Sequence, residues 1–110
     1  MIDISVIEQL KYDVGDSMAI ELLKVFVDES KKLVEQMLNS TNTNDIELHA
    51  HSLKSSSYSF GAIHLAQTCQ LIEQKVKTNG LNPEVRTLLK LADSQSKKTF
   101  QQINQLVNNA

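Results

Sequence analysis

From Ala19 to Met37, small and apolar residues recur with three- and four-residue spacing: Ala19, Leu22, Leu23, Phe26, Ser30, Leu33, Val34 and Met37. A helix turns about 100° per residue, so this spacing gathers all of them on one side of a helix about five turns long. A strand would need strict alternation, which is absent here. A helix with one apolar side must bury that side against other helices or a sheet. The pattern predicts a helix from Asp16 or Ser17 to about Asn39.

The rest of the chain repeats the helical theme. Asp3 is placed to cap a short helix through about Val14, with Ile4, Ile7, Leu10 and Val14 on its apolar side. Gly15-Asp16 breaks it. After the polar, turn-prone Ser40 to Asn44, Thr43 or Asn44 is expected to cap a helix ending near Phe60, with Gly61 just past its end where positive φ is often needed. Leu65, Cys69, Ile72 and Val76 mark a further helix from about Ala62 to Thr78, stopped by Asn79-Gly80. Asn82 then caps a last helix with Pro83 in first position, where the missing amide proton costs nothing. Val85, Leu88, Leu89, Ala92, Ser96, Thr99, Phe100, Ile103 and Leu106 supply its stripe. Long amphipathic helices joined by short loops predict an all-α fold: an antiparallel up-down four-helix bundle with a short additional N-terminal helix.

Composition supports this and removes several functional classes. Three glycines and one proline in 110 residues are too few turn-formers for an all-β chain, and the length suits one domain spanning 1–110. A net charge of −2 gives no electrostatic support for a nucleic-acid partner. The single Cys69 cannot form an internal disulfide, and a reducing cytoplasm is the natural reading. No apolar run approaches the ~20 residues of a membrane span, and Met1-Ile2-Asp3-Ile4 lacks the basic start of a signal peptide. A starting Met and a polar Asn108-Asn109-Ala110 end suggest a complete chain.

The stretch from His49 to Ala62 carries the chemistry. With His51 at zero on a helical wheel, Lys54 falls at roughly −60°, Ser55 at about +40°, Tyr58 at about −20° and Glu47 at about −40°. Ile46, Ala50, Leu53, Ser57 and Phe60 gather on the opposite side. One face can pack, and the other sets an imidazole beside an ammonium and a hydroxyl in water. His49 falls at about 160°, at the edge of the packing face, so it reads as structural. It cannot share a metal ion with His51, as an i,i+4 pair could. Cys69 lies on the inward stripe and reads as core, and His64 as a surface residue in the first turn of its helix.

His51-Ser52-Leu53-Lys54-Ser55-Ser56, followed by Phe60-Gly61-Ala62, Leu65, Cys69 and Glu73, resembles the signature of histidine-containing phosphotransfer domains. The rhythm of Leu22, Leu23, Phe26 and Glu29 extends the likeness over much of the chain. The resemblance implies a phosphorelay protein that moves a phosphoryl group between receiver-domain aspartates. His51 would be the phospho-acceptor through Nε2, Lys54 would steady the phosphoryl oxygens, and Glu73 would hydrogen-bond the other ring nitrogen. Where the family usually has Gly, whose missing side chain lets a partner approach closely, this chain has Ser55, and a slightly narrower choice of partners rather than lost function is expected. A quorum-sensing phosphotransfer protein also has Ser there, with a similar run through Ser59-Phe60-Gly61-Ala62. Ser55, Tyr58 and Gly61 are read as close-approach or docking residues, with Val27 and Lys31 of the preceding helix as further docking candidates.

The partners so implied are the receiver domain of a hybrid sensor histidine kinase and that of a response regulator, met transiently by a monomer. No cofactor is expected on this chain; Mg²⁺ would reside on the receiver, and no independent kinase or hydrolase activity is expected. Phosphoryl transfer needs mainly positioning and charge stabilisation, so an exposed nucleophile on a rigid helix suffices. A hydrolase reading of Glu47, His51 and Ser55 fails because mid-helix amides are committed to the helix ladder and cannot form an oxyanion hole. The remaining alternative is a helical adaptor that is not phosphorylated.

Overall fold

The computed structural model describes residues 2–108. Met1, Asn109 and Ala110, on which the reading of the chain ends rests, lie outside the described residues. Five helices run in order: α1 (Ile4–Val14), α2 (Asp16–Asn39), α3 (Thr43–Ser59), α4 (Ile63–Asn79) and α5 (Pro83–Asn108). α2 packs on α3 and α5, and α4 packs on the same two, which closes a four-helix bundle; α1 leans on α2. This is the predicted all-α architecture, and no strand occurs among the described residues.

The helix ends follow the sequence chemistry. Asp3 accepts from the Ser5 amide at 3.0 Å, and Asn82 accepts from the Val85 amide at 2.9 Å. α3 departs by one residue: Asn42, not Thr43 or Asn44, takes the amides of Asn44 and Asp45. Asn42 is extended, at φ −88° and ψ 116°, which aims its short amide back at the first turn.

α3 ends in a Schellman turn. The Ala62 amide donates to the Ser57 carbonyl at 2.8 Å and the Gly61 amide to the Tyr58 carbonyl at 3.3 Å, with Gly61 at φ +80°. That turn anchors the N-terminal segment, because the Asp3 amide donates to the Gly61 carbonyl at 2.7 Å and Ile2 pairs with Ala62 as an isolated bridge.

The core runs along the bundle axis through Leu23, Phe26, Val34, Met37, Ile46, Leu53, Leu65, Ile72, Val85, Leu89 and Ile103. Phe26 stacks on Phe60 and meets Phe100 edge-on, tying α2 to the end of α3 and to α5. Some expected inward residues are not buried. Ile4 and Val14 are exposed, since α1 covers only one end and presents mainly Ile7 to the core; at the end of α5 it is Val107, four residues after buried Ile103, that packs on the core, and Leu106 is turned outward. Val27, placed on the docking surface from sequence, is core at 3 % exposure. It shares its face with Leu23, Ser30 and Val34, at the three- and four-residue offsets of one helical stripe.

Candidate phosphotransfer site

α3 is fixed by its own buried stripe, Ile46, Ala50, Leu53 and Ser57. Locking that stripe inward forces the opposite stripe outward, and His51 stands on it with 56 % of its side chain exposed. α4 is fixed in the same way by Leu65, Cys69, Ile72 and Val76, which turns Glu73 to the edge facing α3.

There the two helices share one carboxylate. Glu73 Oε1 lies 2.9 Å from His51 Nδ1, and Lys54 Nζ donates to Glu73 Oε2 at 2.7 Å. Both carboxylate oxygens are therefore used, one on the ring and one on the ammonium. The Lys54 ammonium, and after it the His51 ring, hold the Glu73 carboxyl below the usual glutamate range despite its partial burial. A neutral imidazole with Nδ1 against a carboxylate carries its proton on that nitrogen, which leaves the Nε2 lone pair free. The result is a solvent-facing imidazole of fixed orientation on a rigid helix.

The neighbourhood is shallow and mixed in character. Asn44, Glu47 and Leu48 surround His51 and Glu73 in an open depression. Leu48 is 60 % exposed, an apolar side chain one turn from the imidazole that the sequence reading passed over. Its signal was available: it falls outside the buried stripe and close to the His51 face. Glu47 is held from α4 by Lys77 at 3.9 Å. On the other flank of α3, Ser52 and Ser56 line a groove with Leu22, Val25, Glu29 and Leu33 of α2.

The predicted docking residues divide. Ser55 is exposed, and Tyr58 is partly exposed with its hydroxyl 3.3 Å from Gln70 Oε1. Gly61 is buried and faces inward: a Cβ there would meet the Asp3 carbonyl oxygen at 2.8 Å. Its missing side chain admits the chain's own N-terminal segment, which corrects its assignment as a docking residue. Lys31 lines the groove between α2 and α5, with Asp93 and Lys97, on the side of α2 away from His51. Val25, 52 % exposed, is an outward apolar residue of α2 on the α3 side.

His49 is half-buried, and His64 is exposed at the start of α4. Cys69 is buried, and burial together with the Glu73 carboxylate pushes its thiol up to about 12, so it is chemically inert. Among the described residues no group of three or more His, Cys, Asp and Glu could hold a metal ion. No helix among them is long and apolar enough to cross a membrane.

Comparison with known proteins bears on the family and the fold. The family model described as Hpt domain matches residues 21–109. Among solved structures, the chain is similar to histidine-containing phosphotransfer protein B from Pseudomonas aeruginosa PAO1, with a TM-score of 0.90 and 20 % identity over 99 % of this chain and 96 % of that one. At that identity the likeness speaks for the fold. No match was found among curated protein sequences.

Proposed function

The chain belongs to the Hpt domain family, whose members carry phosphoryl groups in two-component relays and interact with receiver domains, and from that premise we propose that His51 is its phospho-acceptor. His51 takes the group from a receiver aspartate of a hybrid sensor kinase and passes it to a response-regulator aspartate in the cytoplasm. The observation that carries this reading is the pairing of His51 Nδ1 with Glu73 at 2.9 Å on an otherwise exposed ring.

In the transfer, Nε2 attacks the phosphorus of the aspartyl phosphate. The N–P bond forms as the P–O bond to aspartate breaks, and the aspartate leaves as a carboxylate. Glu73 holds the ring so that Nε2 points to solvent. Lys54, whose ammonium sits on a flexible stem, moves from Glu73 Oε2 to the phosphoryl oxygens as charge arrives there. Mg²⁺ stays with the receiver. Leu48, Val25, Ser55 and Tyr58 form the surface the receiver meets, small enough for a carrier that must release both partners.

The test is transfer of label from a phosphorylated receiver to the wild type and to His51→Gln. Label reaching the wild type alone, in an acid-labile and base-stable form, supports the reading. Equal labelling of both, or none across several receivers, overturns it and leaves the adaptor alternative.

A further inference from the structure

We propose that the Glu73 carboxylate keeps the Nδ1 proton on His51 after Nε2 has been phosphorylated, so that the phosphorylated ring stands as an imidazolium poised to leave. This rests on the assignment of His51 as the acceptor and concerns what happens to the group once it is there.

The proton balance leads to it. Before transfer the neutral ring has one proton, on Nδ1, and one lone pair, on Nε2. When that lone pair forms the N–P bond no proton leaves, and the ring becomes a cation bearing phosphorus on Nε2 and hydrogen on Nδ1. Two fates are then open. If Nδ1 keeps its proton, onward transfer expels a neutral imidazole, a good leaving group. If Nδ1 loses it to solvent, transfer must expel an imidazolide anion, and the phosphoramidate becomes a long-lived store.

Which fate prevails is set by what faces Nδ1, and here it is Glu73 Oε1 at 2.9 Å. A carboxylate only accepts, so it favours the protonated ring and would oppose a bare Nδ1 lone pair. A glutamine could do the reverse by turning its NH₂ toward a deprotonated Nδ1. The other charged groups about the ring are Lys54 and Glu47 on α3, and across the groove α2 presents Glu29 beside Ser52 and Ser56. Glu47 is engaged by Lys77 of α4. Lys54 neutralises part of the Glu73 charge at rest, and its departure to the phosphoryl group strengthens the hold of the carboxylate on the proton. Glu73 thus acts as a positioning residue for the ring and for the proton that makes the group transferable.

The experiment uses protein with ¹⁵N-labelled histidine rings, phosphorylated chemically with phosphoramidate, as wild type and as Glu73→Gln. The His51 signals are those missing from His51→Gln. The Nδ1 proton of phosphorylated His51 should persist to a pH about one unit higher in the wild type than in Glu73→Gln, as expected when a charged acceptor is replaced by a neutral one. Loss of phosphate above neutral pH, followed by ³¹P signal, should be roughly tenfold faster in the wild type, the protonated-fraction ratio that one unit implies. The wild-type titration should also lie above that of free phosphohistidine, which needs no variant. Coincident Nδ1 titrations overturn the proposal while leaving His51 as acceptor; absence of any phosphohistidine at His51 removes the acceptor assignment itself.

Discussion

Glu73 and His51 lie 22 residues apart on different helices, yet a carboxylate oxygen of one sits 2.9 Å from the ring nitrogen of the other. The contact exists because each helix is locked by its own apolar stripe, and the two outward edges are left facing each other. Lys54 joins from the same helix as His51, and the three side chains form one unit. Their arrangement sets several expectations.

Lys54→Met keeps the stem's apolar packing and removes the ammonium. Receiver-to-His51 transfer should slow by about ten- to a hundredfold, the scale of losing one charge-stabilising group. Thermal stability should change little, because an ion pair still partly open to solvent contributes on the order of 1 kcal/mol. Rapid-quench transfer kinetics and a melting curve on the same preparation check both parts.

The Glu73 pairing also links stability to pH. Its folded carboxyl titrates below the ordinary value of 4.5, so the stabilisation is fully present above that value and is lost as pH falls through the lowered folded one. Urea unfolding of wild type and Glu73→Gln should therefore show a gap that is constant near neutrality and closes on acidification below about pH 4.5. A gap that widened on acidification would mean that the carboxyl is not held charged by Lys54 and His51.

Gly61 and Gly15 form a controlled pair. Both have positive φ, +80° and +86°, but a Cβ at Gly61 meets the Asp3 carbonyl oxygen at 2.8 Å while one at Gly15 meets nothing within 4 Å. Gly15→Ala should cost about 1–3 kcal/mol from backbone conformation alone, since φ 86° with ψ 161° is a region that essentially only glycine adopts. Gly61→Ala should cost more and should also speed amide exchange at Asp3, whose hydrogen bond to the Gly61 carbonyl would be displaced.

Val25 and Val27 separate surface from core on α2. Val25→Ala should leave stability within about 0.5 kcal/mol and weaken receiver binding, whereas Val27→Ala should destabilise the fold by about 2 kcal/mol. Urea midpoints and the receiver-concentration dependence of transfer distinguish the two.

The fold was legible where periodicity was long. The stripes of α2, α4 and α5, the Asp3 and Asn82 caps, and the positive φ of Gly61 all follow from local rules that tertiary packing only reinforces. What local rules missed was set by neighbours. Val27 lies on the margin of the α2 stripe, and only the wrap of α3 and α5 around α2 decides that the margin is buried. Val14 ends α1 exposed, and at the end of α5 it is Val107 rather than Leu106 that the neighbouring helices cover. At the site, His51, Lys54 and Glu73 could be named from the motif, and the shared outward face of His51 and Lys54 on α3 followed from helical geometry. That Lys54 rests on Glu73 could not, because it depends on the depth at which α4 packs against α3. Gly61 misled for the same reason: a glycine beside a functional helix suggests room for a partner, and the room is taken by the Asp3 backbone.

The most direct test is to map the phosphate. The protein is phosphorylated by a receiver domain, digested at alkaline pH and sequenced by mass spectrometry, so that its three histidines, His49, His51 and His64, are read separately. The expected result is phosphate on His51 alone. Phosphate on His49 or His64, with His51 unmodified, would contradict the assignment of the site.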